Sequence, residues 1–495
     1  MKRVAIIGGG IAGLSAAYEL VQQQRAGVAI DFTLFEATSR VGGIVETERR
    51  DGFVIECGPD SWITEKLWAR ELAVELGLAD EIIVSNDQWR RTYLAEGGKL
   101  TPMPGGMRMM VPSNRADVLR SPLFSWRAKL AYLREPKRSA QLKTGALDAQ
   151  APDCDESVRD FTCRHFGAEV ADTLAAPLLS GVFGGDIAGL SVRAVMPAFV
   201  SMEREHGSLI LGLRARARDK SSQAALFTSL HNGLGSLIDR MEAQIRDASI
   251  QKAASIHTEE RVLSLERVGD QWRLRTSRNT PEADILFDAV ILATPAHTTA
   301  SLLAPLDVHL PALLPQHASS AIIVGLAFAP EQARSLRIPR GFGFLVPQRK
   351  SSRSSLQADA HDTLEATAQR AFLACTFVDQ KFAHRAPAGG VLLRGFFGGA
   401  DAPALLAESD TTLLRLATES LSRVLGKLPE PNFHIVRRWP RSLPLYAVGH
   451  LERMAKMEQY LAAFPGLRLV GNAYYGVGLP DLIRSGRAAA QGMFT

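Results

Sequence analysis

Residues 3 to 20 read RVAIIGGGIAGLSAAYEL, and the reading of this stretch decides the fold. Val4 to Ile7 is an apolar run of strand length, Gly8, Gly10 and Gly13 occupy the places of a Gly-x-Gly-x-x-Gly turn, and a helix of small residues follows. The first glycine permits the bend, the second lets backbone approach a pyrophosphate, and the third lets helix close on strand. Gly9, Ile11 and Ala12 complete a helix start whose unpaired N–H groups and positive dipole end suit an anion. The glycine pattern alone is weak evidence, so its surroundings decide. DFTLFEA supplies a second strand ending in Glu36 and Ala37, with Glu36 twenty-three residues past Gly13. A carboxylate there accepts the ribose hydroxyls of an adenosine and repels a 2′-phosphate, which disfavours NADP and leaves NAD and FAD.

SRVGG, directly after, separates these two: Arg40, Gly42 and Gly43 offer a cation and unhindered backbone where a larger dinucleotide needs a second grip on its pyrophosphate. ECGPDSW follows, a turn in which the amides of Gly58, Pro59, Asp60 and Ser61 and their neighbours approach a flavin. RVLSLERVGDQWRLRTS reads as a hairpin and FDAVILATPAH as a buried strand returning to the first domain. Near the end, LRLV stops at Val470 and GNAYYGVGLPDLIRSG begins. Gly471 and Asn472 come close to the ribityl and phosphate groups. Gly476, Val477 and Gly478 lead into a helix opened by Leu479 and Pro480, whose positive end stabilises negative charge on a reduced flavin ring. The nucleotide site is therefore expected to be finished by the end of the chain.

Composition bounds the alternatives. The 495 residues, 46% hydrophobic and 22% charged, suit two or three globular domains. No apolar run reaches the length of a spanning helix; the best, residues 173 to 185, is too short. The start mimics a secretory signal, yet cleavage would remove the fingerprint, so that reading is rejected. Cys57, Cys154, Cys163 and Cys375 form no C-x-x-C and no metal-ligand spacing, which fits a reducing cytoplasm and no metal. The net charge of +5 comes from dispersed residues with no nucleic-acid motif. Basic residues thicken between Arg108 and Lys143. A solvated helical face is the plain explanation, and a collar for a polyanionic substrate or anionic lipid the functional one. His206, His231 and His450 read as structural or solvent-facing.

The stretches GGGIAGLSAAYEL, GPDSW, LLSGVFGGDIAGLSV, MEREHGSLILG, GFGFLVP, RRWPRSLPLYAVGHLER and GNAYYGVGLPDLIRSG resemble the FAD-dependent amine oxidase and desaturase superfamily, and within it the oxygen-dependent porphyrinogen oxidases. The resemblance spans nearly the whole chain. It implies an α/β (mixed α+β) fold: a discontinuous Rossmann-like FAD domain, a mixed-sheet substrate domain and a helical insertion. The expected division is 1–87, 235–300 and 436–495 for FAD, 88–110, 197–234 and 301–435 for substrate, and 111–196 for the insertion. It implies one non-covalent FAD and a tetrapyrrole substrate. It further implies a six-electron oxidation of protoporphyrinogen IX, or of coproporphyrinogen III as the alternative, with three O2 reduced to hydrogen peroxide.

The family motifs place a backbone carbonyl of Gly181 on pyrrole N–H groups, Leu345 and Phe396 on the ring faces, Trp439 beside the flavin and Val262 on the adenine. Core packing is the competing reading for the first three. Some relatives carry an arginine before the aromatic in RRTYLAEGGKL; here Thr92 stands there, with Arg90 and Arg91 upstream, so Arg91 becomes the propionate candidate. Hydride transfer to flavin N5 needs positioning more than an acid–base pair, and no catalytic dyad is assigned. No second dinucleotide fingerprint occurs, so oxygen or a quinone is the expected acceptor. The helix in SPLFSWRAKLAYLRE allows a peripheral contact with the inner face of a membrane, or a core-facing role. A handover of product to a ferrochelatase is compatible with the resemblance, and no oligomeric state is read. Amine oxidation, carotenoid desaturation and a non-enzymatic flavin scaffold are the rivals. A tryptophan-containing turn would mark the first, where this chain has NAYYGVG.

Overall fold

A computed structural model describes residues 1–148, 155–219, 225–249, 254–278, 285–347 and 363–493. Cys154 and the polar loop 348–362 lie outside the described residues.

The opening strand Lys2–Ile7 is buried from Val4 onward and forms the middle of a parallel sheet. The spatial order is Ala254–His257, Ile30–Phe35, Lys2–Ile7, Ala289–Leu292 and Leu467–Leu469. In chain order that is 3-2-1-4-5, the doubly wound arrangement whose ligands lie beyond the carboxyl ends of the strands. Three strands come from distant parts of the sequence, so the nucleotide sheet is discontinuous, as the sequence implies. The helix Ile11–Arg25 is buried over its first three turns because it is covered on two sides, by Gly235–Ser249 and by Leu479–Gln491. A methyl group at Gly486 would come within 2.2 Å of the Ala12 carbonyl oxygen, so only glycine permits the first and last helices to touch.

A second, seven-stranded sheet runs Phe433–Pro444, Ala318–Phe328, Val391–Phe397, Phe372–Phe377, Gly343–Leu345, Thr92–Glu96 and Lys99–Pro102. Its pairings are antiparallel except Gly343–Leu345 with Thr92–Leu94. One face, carrying Tyr93, Phe344, Cys375, Val324 and Val436, is sealed by the helix Asp410–Leu425. The other face turns toward the nucleotide sheet.

Between residues 110 and 213 a helical cluster closes around Phe124, Tyr132, Phe161, Phe166, Leu174 and Met202. Buried His165 lies between the carboxylates of Glu135 and Glu203 at 3.0 and 2.8 Å.

Two of the expected boundaries differ from this arrangement. Phe199, Met202, Leu209, Ile210 and Leu213 pack into the helical cluster rather than onto the substrate sheet, because their apolar faces meet Tyr132 and Phe166. The strand Phe433–Pro444 runs uninterrupted through the boundary expected at residue 436, its ladder to Ala318–Phe328 leaving no break there.

The contact between the first and last helices generates a test. Gly486→Ala forces a backbone shift against Ala12 and is expected to destabilise the protein by roughly 1–3 kcal/mol. The shift of the urea unfolding midpoint measures it.

Candidate FAD and substrate site

The three fingerprint glycines serve three different geometries. Gly8 has φ +107°, and a methyl there would meet the Ala293 carbonyl oxygen at 2.7 Å. At Gly13 it would lie 2.0 Å from the Gly8 oxygen, whereas at Gly10 it would meet nothing within 4 Å. Gly10 therefore faces open space at the start of a helix that has no side-chain cap. Gly42 closes that space from the other side, its N–H donating to the Gly9 oxygen at 2.7 Å, and Gly43 approaches the Gly10 Cα. Gly471, φ +127°, likewise opens onto empty space, and the helix Leu479–Gln491 also begins without a side-chain cap. Two uncapped helix starts and two open glycines fit a dinucleotide laid between them.

Glu36 ends the second strand. Its Oε2 accepts from Gly9 N at 2.8 Å and its Oε1 from the N and Oγ1 of Thr38, each at 2.8 Å, so the carboxylate is fixed at the mouth of the turn. Ala37 follows it, and buried Val262 packs beside Phe35 where an adenine would sit. Arg40 departs from its expected role as a free cation. Its guanidinium bonds the carbonyls of Val41 and Gly43 and the Glu46 carboxylate at 3.1 Å, because Glu46 lies within reach on the same turn. It also lies 5.9 Å from the Trp439 ring. Gly42 and Gly43 instead lie closely against the Gly9–Gly10 turn.

Trp439 Nε1 donates to the Cys57 carbonyl at 2.6 Å, which ties the sheet to the Gly58–Ser61 turn. Burial pushes the Cys57 thiol up to about 12, so it is a packing residue and not a nucleophile. The Asp60 carboxylate turns into the protein, onto Lys381 Nζ at 2.9 Å and Arg394 Nη1 at 3.4 Å. Although burial opposes ionisation, those two cations hold it well below the usual carboxylate range. Pro59 and Ser61 flank it, and Ser61 Oγ donates to Asp60 Oδ1.

The late turn is buttressed from behind. Tyr446 OH donates to the Asn472 carbonyl at 2.7 Å and accepts from Gly476 N at 2.9 Å. His450 stacks on Tyr446 with ring centroids 4.0 Å apart, and its Nε2 donates to the Tyr474 carbonyl at 2.7 Å. Asn472 Nδ2 donates to the Ser442 carbonyl. Val477, Gly478 and Leu479 then carry the chain into the final helix.

The expected substrate residues come together on the open face of the seven-stranded sheet. Pairing places Leu94, Leu345, Ala374, Phe396, Ile323 and Arg437 in one row across six strands, and Trp439 follows Arg437 on the same face. Leu345, Ala374 and Phe396 are only partly buried. The helix Ala176–Phe183 packs over this region, against Gly343–Leu345 and Phe372–Phe377, and a methyl at its Gly181 would meet nothing within 4 Å. Gly181 is exposed on this helix, with open space beside it. Arg91 is exposed at the foot of Thr92–Glu96, its carbonyl accepting from Phe342 N at 2.8 Å.

A model of the flavin containing amine oxidoreductase family matches residues 11–493. The chain belongs to that family. Within this flavin oxidoreductase family, the coproporphyrinogen III oxidase of Bacillus subtilis (strain 168) is 33% identical over 502 residues, covering 100% of this chain and 98% of that protein. The protoporphyrinogen oxidase of Bos taurus is 30% identical, covering 99% and 98%. A solved structure from Exiguobacterium sp. 255-15 superposes with a TM-score of 0.78 at 31% identity, covering 99% of this chain and 98% of that one. The chain is therefore a flavoprotein oxidoreductase with the fold of that family, and its open glycines and uncapped helices fit the cofactor.

Sequence reasoning missed Lys381, Arg385 and Arg394 behind the Gly58–Ser61 turn. The signal was present for one of them: Arg394 interrupts the apolar run VLLRGFF, where an uncompensated charge is out of place.

Gly10→Ala separates binding from folding. With φ −68° and open space around the new methyl, stability of the apoprotein is expected to stay within about 0.5 kcal/mol of the parent. FAD affinity, measured by fluorescence titration of apoprotein, is expected to fall about tenfold or more.

Proposed function

We propose that the protein binds one FAD non-covalently and is an oxygen-dependent porphyrinogen oxidase of haem and porphyrin biosynthesis. It removes six electrons from protoporphyrinogen IX to give protoporphyrin IX while three O2 become three hydrogen peroxide. The observation that carries this reading is the shared sheet face: Leu345 and Phe396, which would clamp the tetrapyrrole, lie in one row with the strand position next to Trp439, which would stand beside the flavin. A large, mostly apolar macrocycle needs a broad apolar wall beside its electron acceptor, with little else polar. When bound, FAD supplies the two-electron acceptor and its reoxidation by oxygen.

The chain's own residues position and enclose. The Gly8–Gly13 turn, Glu36, Val262 and Gly42–Gly43 would hold the adenosine and pyrophosphate. Gly58–Ser61, Trp439 and the Gly471–Leu479 turn would hold the ring. Gly181, Leu345 and Phe396 would line the substrate slot and keep it dry. On this division the parallel sheet serves the cofactor and the seven-stranded sheet the substrate.

The same chemistry on coproporphyrinogen III is favoured by one observation, the full-length 33% identity to the Bacillus subtilis protein of that name. Its four propionates call for more cations than the two of protoporphyrinogen IX. Arg90, Arg91 and Arg340 are all exposed near one rim, where Trp89 lies under Arg340 at 4.7 Å and only Asp87 pairs with Arg90. An aerobic fluorescence assay with both porphyrinogens, against a control for autoxidation, tests the reading. Porphyrin is expected to appear faster than in the control, and Phe396→Ala to lower kcat/KM about tenfold or more. If neither porphyrinogen is oxidised by protein that holds FAD, the substrate assignment fails.

Peripheral contact with an anionic lipid surface belongs to the same reading. Among the described residues no helix is long and apolar enough to cross a membrane. The helix Trp126–Arg134 instead presents Trp126, 77% exposed, and Leu130, 42% exposed, one turn apart, with Arg127 and Arg134 exposed beside them. Lys129 Nζ stands 5.1 Å from the Trp126 ring. An apolar ridge flanked by cations is complementary to the headgroup region of anionic bilayers. Vesicles of mixed phosphatidylserine and phosphatidylcholine are expected to sediment the protein, and pure phosphatidylcholine not to. Trp126→Ala should abolish the difference, and equal sedimentation of both proteins would remove the lipid role.

A further inference from the structure

Behind the Gly58–Ser61 turn lies a cluster of five ionisable side chains that the reading so far does not use: Glu56, Asp60, Lys381, Arg385 and Arg394. Glu56, Arg385 and Arg394 have side chains at most 1% exposed, Lys381 is 10% exposed and Asp60 16%. Both carboxylates act only as acceptors. Glu56 takes hydrogen bonds from Thr47 Oγ1 at 2.7 Å and Leu234 N at 2.8 Å and pairs with Arg385 at 3.2 Å. Asp60 takes both oxygens to Lys381 and one to Arg394. Two anions thus face three cations.

Among the described residues no further carboxylate pairs with these three cations. Arg437 is offset by Glu46 and Glu48, and Arg40 by Glu46. Asp379, on the same short helix as Lys381, spends its carboxylate on Leu392 N, and burial pushes it up to about 6. Arg385 Nε and Nη1 and Arg394 Nε are buried with no hydrogen-bond partner.

A network selected only to hold the fold would pair these groups or replace them with apolar ones, since an unpaired buried charge costs several kcal/mol. The excess is placed where it acts on the turn. Arg394 donates to the Gly58 carbonyl, and Arg385 reaches Ser229, whose Oγ donates to the Asp60 carbonyl at 2.8 Å. Trp439 holds the Cys57 carbonyl from the other side. The carbonyls of Cys57, Gly58 and Asp60 are thereby each held by a donor, that of Gly58 directly by the Arg394 cation.

We propose that the Lys381–Arg385–Arg394 cluster, carrying one positive charge more than Glu56 and Asp60 neutralise, raises the electron affinity of the flavin bound against the Gly58–Ser61 turn. The inference rests on the FAD placement proposed above. A buried positive charge in a region of low dielectric favours whichever redox state carries more negative charge, and the effect survives because water does not screen it. These residues are positioning and tuning groups; none is assigned to touch the substrate.

The test is the two-electron midpoint potential of the purified holoprotein, measured by dye-coupled anaerobic reduction. Lys381→Met removes one cation and is expected to shift the oxidised-to-reduced equilibrium at least tenfold toward the oxidised form, about 30 mV lower. Asp60→Asn removes one anion from the same ion pair and is expected to shift it in the opposite direction. Lys381→Arg keeps the charge and is expected to leave the potential at the parental value. Damage to structure would move Lys381→Met and Asp60→Asn the same way, so shifts of the same sign, or none, overturn the proposal. If Asp60→Asn does not fold, Glu56→Gln takes its place as the anion removal, with the same expected sign; if Lys381→Met does not, Arg394→Met takes its place as the cation removal. A parent protein purified without the absorption of bound FAD would overturn the cofactor placement itself, which is a separate result.

Discussion

The approach of the final helix to the first depends on an absent side chain. Gly486 lets Leu479–Gln491 lie against the Ala12 carbonyl, and with it come the Gly471–Gly478 turn and the last strand of the parallel sheet. Without that contact the fingerprint would be half a site, with an uncapped helix facing solvent. With it, two helices that each begin without a side-chain cap pack on one another, each with a partial positive charge at its start.

The second sheet meets the Phe53–Ser61 stretch through an apolar cluster of Phe53, Ile55, Cys57, Ala327, Leu392 and Phe433 and through polar contacts beside it. Trp439 on Cys57, Arg394 on Gly58 and Lys381 on Asp60 are hydrogen bonds or ion pairs between one sheet and the turn of the other unit. Directional contacts fix orientation where an apolar seam would tolerate sliding. A reaction that depends on alignment of a flat substrate with a flat cofactor has use for that rigidity.

Much of the nucleotide half was legible in the sequence because its signals are local. The glycines at 8, 10 and 13, the strand ending at Glu36 and the helix opened by Pro480 each announce themselves within a few residues. The row of Leu94, Leu345, Ala374 and Phe396 was reached only in part, through motif resemblance, since its residues lie on four strands whose register no short window contains. The pairing of Asp60 with Lys381 was beyond reach for the same reason: the two are 321 residues apart. Arg40 was read as a cation for the pyrophosphate, and its pairing with Glu46 depends on the fold of the turn between them. The boundary expected at 436 falls inside one long strand, which no short window of sequence delimits.

The spacing of the site along the chain has a consequence for biogenesis. Gly10 and Gly471, each with open space where a methyl group would stand, are separated by most of the sequence, and translation at about 5–20 residues per second puts roughly 20–90 seconds between them. During that interval the nascent nucleotide sheet lacks its edge strand Leu467–Leu469, and the first helix lacks one of its covers. The parallel sheet and the helix pair beside it are therefore complete only after the last strand and the last helix have been made.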